Sequence, residues 1–177
     1  RRDMTVRRLP WVALSDISPA MRTAIVLSED QRFWQHSGVD WQSVAGSAWA
    51  NLWNQRTRGA STVTMQLAGL LSESSTSGAA RRNWSQKVSQ AWHAGQLERQ
   101  WRKSDILEAY LNLVPFRGET VGLAAMSQTL FRKHPSGLDA QEAAIAAALV
   151  RGPNARADVV ARRACQVLTL QQRPCTG

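Results

Sequence analysis

Cysteine, histidine and tyrosine are scarce in this chain: its 177 residues hold two, three and one of them. Cys165 and Cys175 are too few for a disulfide framework or a cysteine-built metal centre. On one continuous helix their Cα atoms would lie ~15 Å apart, out of bridging reach. Pro174 marks a helix end, however, which leaves a bridge open in an oxidising compartment. His36, His93 and His134 are scattered, so no cluster of side-chain nitrogen or sulfur points to a bound metal. Long apolar runs are missing too. The longest, Ala143 to Val150, directly follows Glu142 and falls far short of the ~20 residues that span a bilayer. Acidic residues number 13 against 22 lysines and arginines, a net charge of +9.

What is present suits a folded domain. A hydrophobic fraction of 44% excludes a disordered chain, and the length fits a single domain over residues 1–177. The basic excess is either a solvated surface or a footprint for an anionic partner, nucleic acid or a phosphate-bearing lipid surface. No helix-turn-helix, zinc-finger or RNA-recognition signature is found, so nucleic acid is not expected. The chain opens on Arg1-Arg2 without a signal peptide or anchor and reads as a piece of a longer protein. Arg1, Arg2, Arg7 and Arg8 would suit a stretch that follows a membrane anchor, or equally a charged terminus.

Periodicity predicts helices almost throughout and no sheet, an all-α fold. Ser18-Pro19 reads as an N-cap with proline at the first helical position, opening a run toward Glu29. Asp40 is placed to cap a run through Trp53, and Thr62 to Leu71 reads as a short helix. Residues 72–78 are serine-rich and loop-like. Trp84 to Trp101 is a long helix with Val88, Trp92 and Leu97 directed inward. Ser104 is expected to cap Asp105 to Asn112, a helix is expected from Val121 to Phe131, and residues 154–172 form a last one. Asp139-Ala140-Gln141-Glu142 has the form of a capping box before an alanine-rich helix.

Two stretches carry chemistry. Glu29-Asp30-Gln31-Arg32-Phe33-Trp34-Gln35-His36-Ser37-Gly38 sets an acidic pair at a helix end, followed by an aromatic, a histidine and a glycine turn. Gly59-Ala60-Ser61-Thr62-Val63-Thr64-Met65-Gln66 is a glycine-led loop whose hydroxyls stand where a helix begins. Read blandly, the first is a pair of solvated acids opposing the helix dipole and the second is ordinary capping. In this order and at these spacings, the two resemble the first motifs of the peptidoglycan glycosyltransferases, glycosyltransferase family 51, which read E-D-x-x-F-x-x-H-x-G and G-x-S-T-x-x-Q-Q. Lys103 to Asn112 is similar to that family's K-x-x-I-L-E-x-Y-L-N segment, Gly118 to Phe131 to its fourth motif and Leu138 to Pro153 to its fifth. The likeness covers about residues 18–153, with 1–17 and 154–177 flanking it.

The resemblance implies a lysozyme-like helical domain with a small membrane-facing subdomain, acting at the outer face of the bacterial inner membrane. It implies polymerisation of lipid II into β-1,4-linked glycan strands with release of polyprenyl pyrophosphate. Glu29 then matches the catalytic base and Asp30 the acid beside it. Phe33 and His36 belong to the same motif and are expected among the substrate-binding residues, with His36 orienting the loop. Gly59, Ser61, Thr62 and Gln66 match the second motif, with Met65 where the commoner pattern has its first glutamine. The third motif, R-K-x-x-E, becomes Gln86-Lys87-Val88-Ser89-Gln90: Lys87 is kept, Gln86 replaces the arginine and Gln90 the second glutamate. Gly69 also stands where many relatives carry lysine or arginine. Met65 and Gln90 together resemble the type 1C branch of the bifunctional penicillin-binding proteins. Departure of a pyrophosphate requires a cationic or donor-rich wall. Arg81, Arg82 and Lys87 are assigned to it, whereas Arg99, Arg102 and Lys103 are read as helix-end charges. Gln90 is placed among the catalytic groups, and a divalent cation, Mg or Mn, is expected at the pyrophosphate by resemblance alone. Lipid II, the growing glycan strand and the membrane surface are the expected partners. A lytic, lysozyme-like enzyme would instead need a protonated acid and no pyrophosphate wall. A third reading is a glycan- or lipid-binding module without catalysis.

Trp34, Trp41, Trp49 and Trp53 cluster after the first motif. Indoles fill cores, and they also favour the headgroup level of a membrane.

Overall fold

The computed structural model describes residues 7–42, 45, 61–73 and 84–175. Among them are seven α-helices and one pair of two-residue strands, so the all-α expectation holds. The chain divides into two compact units, residues 1–31 with 111–177, and residues 32–110.

In the first unit, α1 (Pro19–Glu29) begins as its sequence dictates: Ser18 Oγ accepts the Met21 N–H at 3.1 Å, and Pro19 occupies the first turn, where no amide donor is needed. Its apolar stripe of Met21, Ala24, Ile25 and Val26 is buried. α6 (Ala140–Arg151) packs against α1 and against α7 (Ala157–Leu170). Ala143, Ala144, Ala146, Ala147 and Ala148 are all fully buried, and such small side chains let neighbouring helices approach closely. The expected capping box is present: Asp139 accepts the amides of Gln141 and Glu142, and Glu142 Oε2 accepts the Asp139 N–H at 3.0 Å. The other Glu142 oxygen accepts Lys133 Nζ at 2.7 Å, and this hydrogen bond raises the lysine pKa above its usual value. Glu142 is thus a fixture of the helix start.

α5 (Leu123–Phe131) starts two residues later than its pattern predicts. Gly122 stands at its N-cap with φ +86°, and a Cβ there would fall 2.5 Å from the Asn112 carbonyl oxygen, so only glycine fits. Thr120–Val121 (β2) is drawn into a parallel pair with Arg7–Arg8 (β1), in register Arg7 to Thr120. This corrects the expectation of no sheet: two-residue strands are too short to leave an alternation in the sequence.

α7 stops at Leu170, where the expected helix ran on to residue 172. Gln172 turns through φ +56°, and Arg173 N–H bonds back to the Leu168 carbonyl at 3.0 Å. The reversal leaves the Cys165 and Cys175 Cα atoms 5.2 Å apart and joined by a disulfide.

The second unit holds α2 (Val63–Glu73), α3 (Trp84–Gln100) and most of α4 (Lys103–Leu113). Ser104 does not cap α4, because the helix already begins at Lys103; the Asp105 carboxylate accepts the Arg102 N–H at 3.2 Å instead. Trp92 faces solvent with 70% of its surface exposed, whereas Ala94 is fully buried. The reason is a close approach of main chains: a Cβ on Gly38, φ +93°, would lie 2.9 Å from the Ala94 carbonyl. A face that admits another backbone so closely has no room for an indole. Leu97 is half-buried, and the Val88 side chain lies outside the described residues, as do Trp49, Trp53 and most of the stretches 40–53 and 72–78. Trp34 and Trp41 are exposed at 57% and 72%, so neither is core filler.

The disulfide closes a short loop, which by chain entropy stabilises the fold by about 2–3 kcal/mol. Cys175→Ser is expected to lower the melting temperature by several degrees. Reductant should lower the wild-type value to match and leave the variant unchanged in a thermal-unfolding measurement.

Candidate functional site

Glu29 is the last residue of α1 and is half-buried; Ser28 Oγ donates to its Oε1 at 3.0 Å. The helix ends there because Asp30 leaves helical geometry, with φ −160° and ψ 78°, while its N–H still bonds to the Val26 carbonyl at 2.9 Å. Asp30 itself is buried at 7% exposure. The terminal carbonyls of a helix lack partners within it and carry the negative end of its dipole. Arg151, in the last turn of α6, meets that end: its Nη1 donates to the Ser28 carbonyl at 3.3 Å. Sequence reasoning missed Arg151. It lies 123 positions from Ser28, and no local pattern distinguishes it from a basic residue complementing its own helix.

Within the second unit, the rest of the first motif is a loop fastened from several sides. The Phe33 ring is fully buried, edge-on to Trp34 at 4.9 Å and to His36 at 6.3 Å between centroids. Lys103 Nζ stands 4.4 Å from the centre of the Phe33 ring, a cation–π contact. The same ammonium donates to Glu98 at 2.6 Å, and Glu98 also accepts Thr64 Oγ1 at 2.7 Å. Lys103 is therefore tied into the packing of this unit and is more than a helix-end charge. Phe33, expected at the substrate, acts in this structure as the anchor of its loop. His36 Nδ1 accepts the Gly38 N–H at 3.2 Å and so shapes the turn. Arg32 clasps Asp40 with two parallel hydrogen bonds of 2.9 and 2.6 Å and reaches Gln42 with its remaining nitrogen. Arg32, Gln35, His36, Val39, Trp41 and Gln42 are among the residues that line an open recess of mixed polar and apolar surface.

The second motif joins this loop through one side chain. Thr62, 2% exposed, donates its hydroxyl to the Gly38 carbonyl at 2.6 Å and accepts the Met65 N–H at 3.1 Å. It caps α2 and ties the glycine turn to it in the same act. Ser61 beside it is exposed. Gln66 is half-buried, its Oε1 accepting the Tyr110 hydroxyl at 2.8 Å. Met65 is buried at 7%, so an apolar side chain is at home where the commoner motif has an amide. Gln90 is half-buried on α3. Gly59, Arg81 and Arg82 lie outside the described residues; Lys87 has its backbone in α3, and its side chain lies outside them too. No group of three or more His, Cys, Asp and Glu placed to hold a metal occurs among the described residues.

Removing the Thr62 hydroxyl strips α2 of its cap and leaves the Gly38 carbonyl unpaired in a buried place. Thr62→Val is expected to cost about 2 kcal/mol in a urea-unfolding measurement, and Thr62→Ser less than half of that.

The family model described as Transglycosylase matches residues 2–172. Penicillin-binding protein 1C of Escherichia coli (strain K12) is 39% identical over 144 residues, covering 81% of this chain and 18% of that protein. Penicillin-binding protein 2D of Bacillus subtilis (strain 168) is 36% identical over 145 residues, covering 81% of this chain and 20% of that protein. A biosynthetic peptidoglycan transglycosylase of Pasteurella multocida (strain Pm70) is 37% identical over 143 residues, again 81% of this chain and here 56% of the relative. The chain thus spans about a fifth of the first two relatives and a little over half of the third.

Proposed function

Because the chain belongs to the transglycosylase family, we propose that it is a peptidoglycan glycosyltransferase, which polymerises lipid II into β-1,4-linked strands with release of polyprenyl pyrophosphate. The observation that carries the reading is the Thr62 bond to Gly38, which makes the ends of the first two motifs one structural unit.

A sugar hydroxyl is a poor nucleophile at neutral pH, so a carboxylate must take its proton as it attacks. Glu29 takes the proton from the 4-hydroxyl of the acceptor's terminal GlcNAc. That oxygen bonds to the anomeric carbon of the MurNAc of the other substrate, the bond to the pyrophosphate oxygen breaks, and the configuration inverts. The electron pair leaves with the lipid pyrophosphate. Asp30 supports the base, and Arg151 steadies the helix end that carries both. Ser61, Gln66 and Gln90, with Gly59, Lys87, Arg81 and Arg82, hold the leaving group. Thr62, expected among them, is buried with its hydroxyl committed to Gly38 and Met65 and fixes the start of α2 instead, and Phe33 and His36 keep the loop of the first motif in shape. A divalent cation, Mg or Mn, would enter with the pyrophosphate as its companion. The described residues do not fit an ion held by protein ligands alone, and no step above depends on one.

The lipid-linked substrate puts the reaction at the outer face of the bacterial inner membrane. Exposed Trp34, Trp41 and Trp92 and the net charge of +9 suit contact with an anionic surface, as a small membrane-facing subdomain would make. A disulfide also suits an oxidising compartment. Among the described residues no helix is long and apolar enough to cross a membrane.

Glu29→Gln is expected to lower lipid II polymerisation by a factor of about 100 or more while lipid II binding and the melting temperature are kept. If wild type and variant both bind lipid II and neither extends it, a binding module replaces the enzyme. Gln90→Ala is expected to reduce the rate more than Gln90→Glu, since only the latter keeps polar atoms there. Equal rates would show that the position does no polar work.

A further inference from the structure

Gly69 lies in the interior of α2 and is buried. Glycine in such a place costs about 0.5–1 kcal/mol relative to alanine, so a reason for it is required. The reason stands on the neighbouring helix. A Cβ built on Gly69 would lie 2.8 Å from Gln90 Nε2 and 3.4 Å from its Cδ. The first distance is well inside van der Waals contact. The Gln90 carboxamide therefore rests on the bare Cα of Gly69, in the volume where any other residue would put its side chain.

Both positions depart from the family pattern quoted above, as Met65 and Gln86 also do. Where many relatives carry lysine or arginine there is no side chain at all, and where the third motif carries glutamate there is a neutral amide. A cation at 69 would fill the place the amide occupies and would stand beside a carboxylate at 90. We infer that Gly69 and Gln90 are one positioning unit, a single coupled replacement of a charged pair by a neutral one, in which the empty volume at 69 fixes where the amide of Gln90 presents its hydrogen-bonding atoms. The inference rests on the glycosyltransferase reading for its consequence. Position 90 then serves the departing pyrophosphate as an uncharged group, and Gly69 acts through it without touching substrate.

The test follows from the identity of the colliding atom. Nε2 is the far end of a flexible side chain, so Gly69→Ala can fold with the amide displaced. In the full chain labelled with nitrogen-15, the side-chain amide resonances of Gln90, assigned through Gln90→Ala, should shift clearly in Gly69→Ala while the melting temperature does not fall. With lipid II as substrate, Gly69→Ala should lower kcat about tenfold with KM changed less than twofold, and should add nothing in a Gln90→Ala background. Gly69→Lys and Gln90→Glu should each lower kcat, and the double variant should recover most of the loss. Gln90 resonances that stay in place, losses of Gly69→Ala and Gln90→Ala that multiply, or a double variant worse than both singles would each overturn the inference. A wild type that does not polymerise lipid II would sink the functional reading instead, and the resonance comparison would still decide whether Gly69 places the amide.

Discussion

The hydroxyl of Thr62 is the tie on which the second unit's arrangement depends. It is a small group, buried to 2%, whose donor is spent on the Gly38 carbonyl and whose acceptor is spent on the Met65 amide. The first bond fixes the turn that ends the first motif. The second begins the helix that carries Gln66 and Gly69. Gly38 in turn lies so close to the main chain of α3 that a Cβ would strike the Ala94 carbonyl. Three segments, far apart in sequence, thus meet through main-chain contacts that allow little substitution.

The distribution of acids follows the same economy. Asp40 is held by Arg32, Glu98 by Lys103 and Thr64, Glu142 by Lys133 and the Asp139 amide, and Asp105 by the start of α4. Each of these carboxylates has structural work within its own unit. Glu29 is the carboxylate proposed as the base. It ends a helix whose last carbonyls receive an arginine from α6, and a neighbouring serine hydroxyl donates to it. A carboxylate oriented in this way, at the opening of a motif whose remaining residues are fastened into a loop, is a fitting proton acceptor.

Much of this was legible in the sequence because it is local. Ser18-Pro19 and the Asp139 box announce the starts of α1 and α6, since a capping side chain acts within three residues of itself. The two motifs were legible by spacing, and His36 orients its turn as expected. What escaped detection depends on partners far along the chain. The strand pair joins Arg7 to Thr120, and the inward face of α3 is set by Gly38 rather than by its bulkiest side chain, Trp92. The disulfide depends on a reversal at Gln172 that a helical pattern cannot foretell. Phe33 read as a substrate contact because motif position says nothing about burial.

The central claim is a group transfer in which a glycosidic bond forms as a lipid pyrophosphate leaves. The most direct measurement follows both products at once, using lipid II labelled in its disaccharide and in its polyprenyl chain. The account predicts one polyprenyl pyrophosphate freed for each disaccharide joined, with β-1,4 linkages in the product. Shortening of a preformed glycan strand, with no lipid carrier released from lipid II, would contradict it.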